Sequence, residues 1–242
     1  MEFVGTAQPS RFSVRSPFFL AMAFVQAAIV VYGFSHTVPF DLAHGLPILL
    51  IVHALVFGAW IALTLVQPAL VMTNSLVWHR RLGWIGTGLA AAIVVMGVSA
   101  IIFALRSNNL PDIYPQNLFI MRGLIGLLVF AGLFIAAVLL RRRAQWHKRL
   151  MLCASVVVIV PGLERALPVF AMGPHWPYFV DGLIDLLVLA GPVGDLVARR
   201  RAHRAYAWGI GAVIGGQVLV DVLVPTAVPT ALLHALGVSL IP

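Results

Sequence analysis

An all-α, polytopic membrane bundle of seven spans is the fold class this sequence predicts, and three observations predict it. Hydrophobic residues make up 61% of the 242 and charged residues only 10%, too little charge to keep a domain of this length in water. The apolar residues gather into runs of about 20, the length of a hydrocarbon crossing, and short polar turns separate them. Alternation at period two is missing, which removes a transmembrane β-barrel from the candidates.

The runs cover 17–36, 46–72, 82–105, 118–140, 148–170, 179–197 and 206–224. The first follows Arg11 and Arg15 and so invites comparison with a signal peptide. It is longer than a usual signal core and no small-x-small site follows it, so it reads as an uncleaved span. Of the 16 Lys and Arg residues, all except Arg106, Arg122 and Arg165 fall in turns on one side. The positive-inside rule makes that side cytoplasmic, with the N-terminus inside and the C-terminus outside. Trp78, Trp84, Trp146 and Trp208 then mark the inner boundary, and Tyr114, Trp176 and Tyr178 the outer one. After Pro225 and Pro229, residues 231–241 are apolar but too short to cross, and are expected to re-enter or lie along the outer surface.

The whole of 1–242 reads as a single integral membrane domain, with a histidine-bearing helix core over 46–170 and the last two spans plus the terminal segment over 171–242. The bilayer is the expected partner, nucleic acid is not expected, and the oligomeric state stays open. Cys153 is the only cysteine, which excludes an intramolecular disulfide framework and a paired-cysteine metal site; a buried structural thiol is expected. Zinc-hydrolase histidine motifs, phosphate-binding loops and a GxSxG elbow are all missing. Lys148 is the only lysine and lies at a membrane boundary, so a retinal Schiff base in the seventh span is excluded.

One turn occurs twice: Trp78-His79-Arg80-Arg81-Leu82 and Trp146-His147-Lys148-Arg149-Leu150. Each copy opens an outward-running span, as a parallel duplication or repeated interface demands would arrange. His79 and His147 would face one another if those helices are neighbours, and two imidazoles between helices suit axial ligation of haem iron. The same helix starts, with their cations, suit an anion such as a lipid headgroup. The plainest reading is a set of interface anchors.

A second constellation belongs to the outer side. Counting ~1.5 Å per residue, His53, Arg122, Glu164, Arg165, Asp181, Asp185 and Asp221 all fall within ~10 Å of that boundary. Ionisable groups at such depth face the bundle interior, pair, or line a wet cavity. Asp181 and Asp185 share a helix face at i,i+4 and are expected to pair with Arg122 and Arg165. Pro161-Gly162, just before Glu164, is expected to kink the fifth span. His36, His44, His175 and His234 are candidate second ligands for His53, and His203 lies among arginines in an inner loop.

At His53, Pro68, His79-Arg80-x-x-Gly83, His147-Lys148-Arg149-x-Met151 and Arg165 the chain resembles a family of bacterial multi-span membrane proteins of unknown function. These carry a histidine in an early helix, an HR-x-x-G turn, an HR-x-x-M turn and a later arginine. The resemblance covers residues 46–170; Glu164 has no match in its pattern. It implies a bacterial inner membrane and that these positions matter, but brings no activity. More loosely, the histidine set is similar to that of membrane b-type cytochromes, which place their ligands a turn or more inside the helices.

The leading expectation is a membrane protein that binds a cofactor or small ligand, with haem b and electron transfer as the specific case. His79 and His147 would be the inner metal ligands, His53 an outer metal ligand or proton carrier, and Arg122 and Arg165 partners for propionates or another anion. The alternative is a transporter or proton-coupled carrier using the outer charged cluster. The third reading is a structural or assembly protein. Catalytic residues, solute and redox partner stay open.

Overall fold

In a segment this apolar, backbone N–H and C=O groups must satisfy one another locally, and helix is the outcome; among the described residues no strand occurs. The computed structural model describes residues 16–35, 37, 45–108, 110 and 113–238. Arg11, Arg15, His36, His44 and the end of the terminal apolar segment, 239–241, lie outside the described residues. The chain runs α1 (Pro17–Ser35), α2 (Ile48–Met72), α3 (Leu76–Arg106), α4 (Gln116–Leu139), α5 (Ala144–Val158), α6 (Val160–Ala166), a 3-10 turn (Val169–His175), α7 (Trp176–Arg199), α8 (Ala205–Leu223) and α9 (Ala227–Ala235).

Five of these helices, α1, α2, α3, α4 and α8, are long and apolar enough to cross a membrane. The two other expected spans differ from them for identifiable reasons. The run 148–170 breaks at Ile159 into α5 and α6, because Pro161 cannot donate to the helical ladder and fits instead in the first turn of a new helix. The expected kink is thus a full interruption placed just before the proline. The other, α7, carries Asp181, Asp185, Asp195 and Arg199 along its length.

Two antiparallel hairpins form the frame, α2–α3 and α4–α5. The first is turned by Asn74, whose φ of 63° is left-handed, a conformation asparagine tolerates better than most residues. Asn74 N donates to Val71 O and Ser75 N to Leu70 O, which closes the carbonyls at the end of α2 in a Schellman arrangement. Between the hairpins Trp60 of α2 is buried against Phe130 and Phe134 of α4, with ring centroids 5.2 and 5.7 Å away. On the far side, Gly209 of α8 receives the Cys153 side chain so closely that a Cβ there would collide with it; Cys153 is buried, as expected. At the crossing of α1 with α6, a Cβ on Gly33 would strike the Gly162 backbone, and one on Gly162 would strike the Val30 backbone.

Two boundary expectations change. Trp78, Trp84, Trp208 and Tyr178 are exposed, but Trp176 is buried, so it belongs to the packing rather than to an aromatic belt. Of the terminal apolar segment, 231–235 belong to a short helix, α9, opened by Thr226, whose Oγ1 accepts from Val228 N. It docks on the bundle through buried Leu233, and Arg106 at the end of α3 donates from Nε to Leu236 O at 3.0 Å.

Candidate functional site

The repeated turn places its two histidines in equivalent positions. His79 is the fourth residue of α3 and His147 the fourth of α5, so each lies one helical turn in, rather than at the very end. Each ring reaches back to a carbonyl of the preceding helix of its own hairpin. His79 Nδ1 lies 3.4 Å from Gln67 O, and His147 Nδ1 2.9 Å from Ala137 O. A carbonyl only accepts, so Nδ1 of His147 carries the hydrogen; Nδ1 of His79 also meets the Gln67 side-chain amide, whose nitrogen donates to it at 2.5 Å, so in that ring Nδ1 is the acceptor. The ring centroids are 6.3 Å apart and the planes nearly perpendicular, at 88°. Two imidazoles bound on opposite sides of one metal, at ~2.0 Å each, have centroids ~6 Å apart. A backbone carbonyl on Nδ1, as at His147, is the usual second shell of such a ligand. The centroid separation of the two rings matches that of a bis-imidazole metal centre.

Beside this pair lies a network that pattern reading assigned to the membrane interface. Arg149, one residue beyond Lys148, is fully buried. It donates from Nε to Asp195 Oδ2 at 2.8 Å and from Nη2 to Asp195 Oδ1 at 2.5 Å. Its Nη1 reaches Gln145 O and Oε1, and the guanidinium stands over the Tyr206 ring at 5.5 Å. Arg199 shares Gln145 Oε1, and the His203 N–H donates to Asp195 Oδ2 at 3.1 Å. In the turn between α7 and α8, His203 Nδ1 accepts from Ala205 N. Burial and the nearby Arg149 guanidinium hold this imidazole below the usual histidine range.

The opposite end of the bundle carries the expected charged cluster, with altered membership. Arg122 of α4 grips Asp181 of α7 bidentately, both contacts at 2.9 Å. Glu164 Oε1 of α6 is 3.7 Å from Arg122 Nη2, and Tyr114 OH donates to that same oxygen at 3.4 Å. Trp176 packs its ring 5.7 Å from the Arg122 guanidinium. Asp185 does not join an arginine, because it accepts from Gln217 Nε2 of α8 at 3.1 Å instead. Arg165 donates from Nη1 to Pro161 O and lies over the Phe34 ring at 4.5 Å. Asp221 is exposed on α8, since depth along an axis does not say which face a residue occupies.

His53 of α2 is half-buried, stacks on Phe57 at 4.2 Å and points Nδ1 at Met96 O, 3.4 Å away. No described histidine joins it as a ring partner: His175 lies beside Tyr178 and His234 is exposed on α9. Among the described residues, no group of three or more His, Cys, Asp or Glu side chains is arranged to hold a metal ion. Compared with known proteins, the chain matches no family model, no curated protein and no solved structure.

Proposed function

We propose that the chain is a seven-span membrane protein, basic end cytoplasmic, that holds a redox metal centre between His79 and His147 and passes electrons through it. Haem iron is the leading form of that centre and a bare transition-metal ion the other. The reading rests on one observation: two imidazoles of a repeated turn lie 6.3 Å apart, a separation that suits two ligands of one metal. When bound, such a metal supplies one-electron chemistry. The chain's own part is to orient the two rings, His147 through Ala137 O and His79 through Gln67. The flanking arginines, Arg80 and Arg81 on α3 and Arg141–Arg143 before α5, supply positive charge for an anionic cofactor group or redox partner.

The test is an absorption spectrum of the purified, dithionite-reduced protein from haem- and iron-supplemented cells, with metal content measured alongside. We expect a Soret and α band or stoichiometric metal, lost in both His79→Ala and His147→Ala and retained in His234→Ala. Neither haem nor metal in the wild-type protein would overturn the proposal.

A second reading is favoured by the charges at the other end. Two carboxylates, Asp181 and Glu164, meet one guanidinium within ion-pair distance, in a setting where unbalanced charge is costly. A proton that moves on and off Glu164 is what a proton-coupled carrier needs. This reading predicts that Glu164→Gln abolishes pH-driven uptake in proteoliposomes while leaving the protein assembled; unchanged uptake would discard it.

A further inference from the structure

An apolar groove of about 800 Å³ runs along the outside of the bundle between α4 and α8. Both helices are among those able to cross a membrane. Its walls are aliphatic for most of their length, and at one end it meets Arg143, Trp146 and Trp208. That end belongs to the basic side of the bundle, where Arg141, Arg142 and Arg143 join α4 to α5.

The floor of the groove is made of glycines that the fold of this chain does not require. Helical glycine costs about 1 kcal/mol relative to alanine, so three in one groove call for a reason. A Cβ on Gly209 or on Gly216, which also lines the groove, would run into Cys153 or Val129, whereas helical Gly58, Gly83, Gly88, Gly126 and Gly182 elsewhere face open space. At Gly132, Gly211 and Gly215 a Cβ would meet nothing within 4 Å. These three keep space open rather than let two helices of the chain approach.

We propose that this groove binds an anionic phospholipid. An acyl chain would lie over Gly132, Gly211 and Gly215, and the headgroup phosphate would be held at the Arg143 end between the two tryptophans. The length and apolar character of the groove select a hydrocarbon chain. The single cationic end, flanked by indoles at the depth where headgroups lie, selects a negatively charged headgroup over a zwitterionic one. A second copy's helix would fill the apolar part but would leave Arg143 without a counter-charge. The proposal rests on the membrane placement of α4 and α8 and is independent of the histidine pair.

The test titrates the delipidated full chain in detergent with phosphatidylglycerol and, separately, with phosphatidylcholine of the same acyl chains, read by native mass spectrometry. Phosphatidylglycerol should bind more tightly. Arg143→Gln should weaken it about fivefold, the scale of one cation at a lipid surface, while leaving phosphatidylcholine unchanged. Gly215→Leu should fill the groove and reduce binding of both lipids, and Gly211→Leu serves the same purpose if the first variant does not fold. Equal affinity for the two lipids would overturn the proposal, as would binding untouched by either leucine. A dimer that either leucine dissociates, with lipid binding unaffected, would reassign the groove to contact between copies.

Discussion

The two ends of this bundle each bury a guanidinium, and they bury it differently. At the basic end Arg149 grips Asp195 bidentately with oxygens of Gln145 on its remaining fork, and Arg199 Nε lies 3.9 Å from the same carboxylate. At the opposite end Arg122 meets Asp181 and Glu164 together, and its Nε finds no partner among the described residues. A guanidinium whose nitrogens are all bonded in a low-dielectric setting is a fastener: removing its main partner strands a charge, whereas replacing both is tolerated. A guanidinium with an unbonded nitrogen is held less completely. The difference separates a structural site from a functional candidate more cleanly than burial does, because Arg149 is the more deeply buried of the two.

Three measurements break or sharpen that contrast. The largest effect is expected from Arg149→Ala, which leaves Asp195 buried without its partner and should cost about 3–5 kcal/mol, seen as loss of monodisperse protein in detergent. Arg149→Met combined with Asp195→Leu should recover most of that stability. A double variant no better than the single one would mean that the pair does more than fasten α5 to α7. Next, Glu164→Gln should leave thermal stability within about 1 kcal/mol of wild type, because Arg122 keeps its bidentate contact with Asp181 and Tyr114 keeps an acceptor. A loss as large as that from Arg149→Ala would make both ends structural and withdraw the proton-carrier reading.

The smallest effect concerns pH. His203 is held below the usual histidine range by burial and by the Arg149 charge, so its neutral form is the folded one, accepting from Ala205 N. Its contribution is present above the ordinary histidine pKa and is lost as pH falls through the depressed value. Acidification should therefore speed hydrogen exchange at the start of α8, and His203→Gln should flatten that dependence. Exchange there that slows on acidification beyond the intrinsic rate change would contradict the assignment.

The helical membrane architecture was legible because composition and run length report directly on the solvent a segment prefers. The repeated Trp-His turn was legible too, and its two histidines lie together at 6.3 Å. The sequence could not reveal Asp195 as the partner of Arg149, 46 positions away. Arg149 sits in a band of cations that the positive-inside rule already explains, and nothing local marks it as the one turned inward. Asp221 was misplaced for the mirror-image reason: counting along a helix gives depth but not azimuth. The break at Ile159 was signalled by Pro161, though a proline fixes only that the ladder is interrupted, not on which residue.

The backbone contact between Gly33 and Gly162 bears on how the bundle is put together. Loop closure makes a contact harder to reach the further apart its residues lie in the chain, and α1 finds this seat only after α6 has been made. In the meantime α2 offers α1 a neighbour, so the first helix has a provisional berth before its final one. A side chain at either glycine would leave the earlier steps intact and block the last. Such a variant would insert normally and then stall with α1 undocked, an assembly defect with the appearance of a poorly expressed protein.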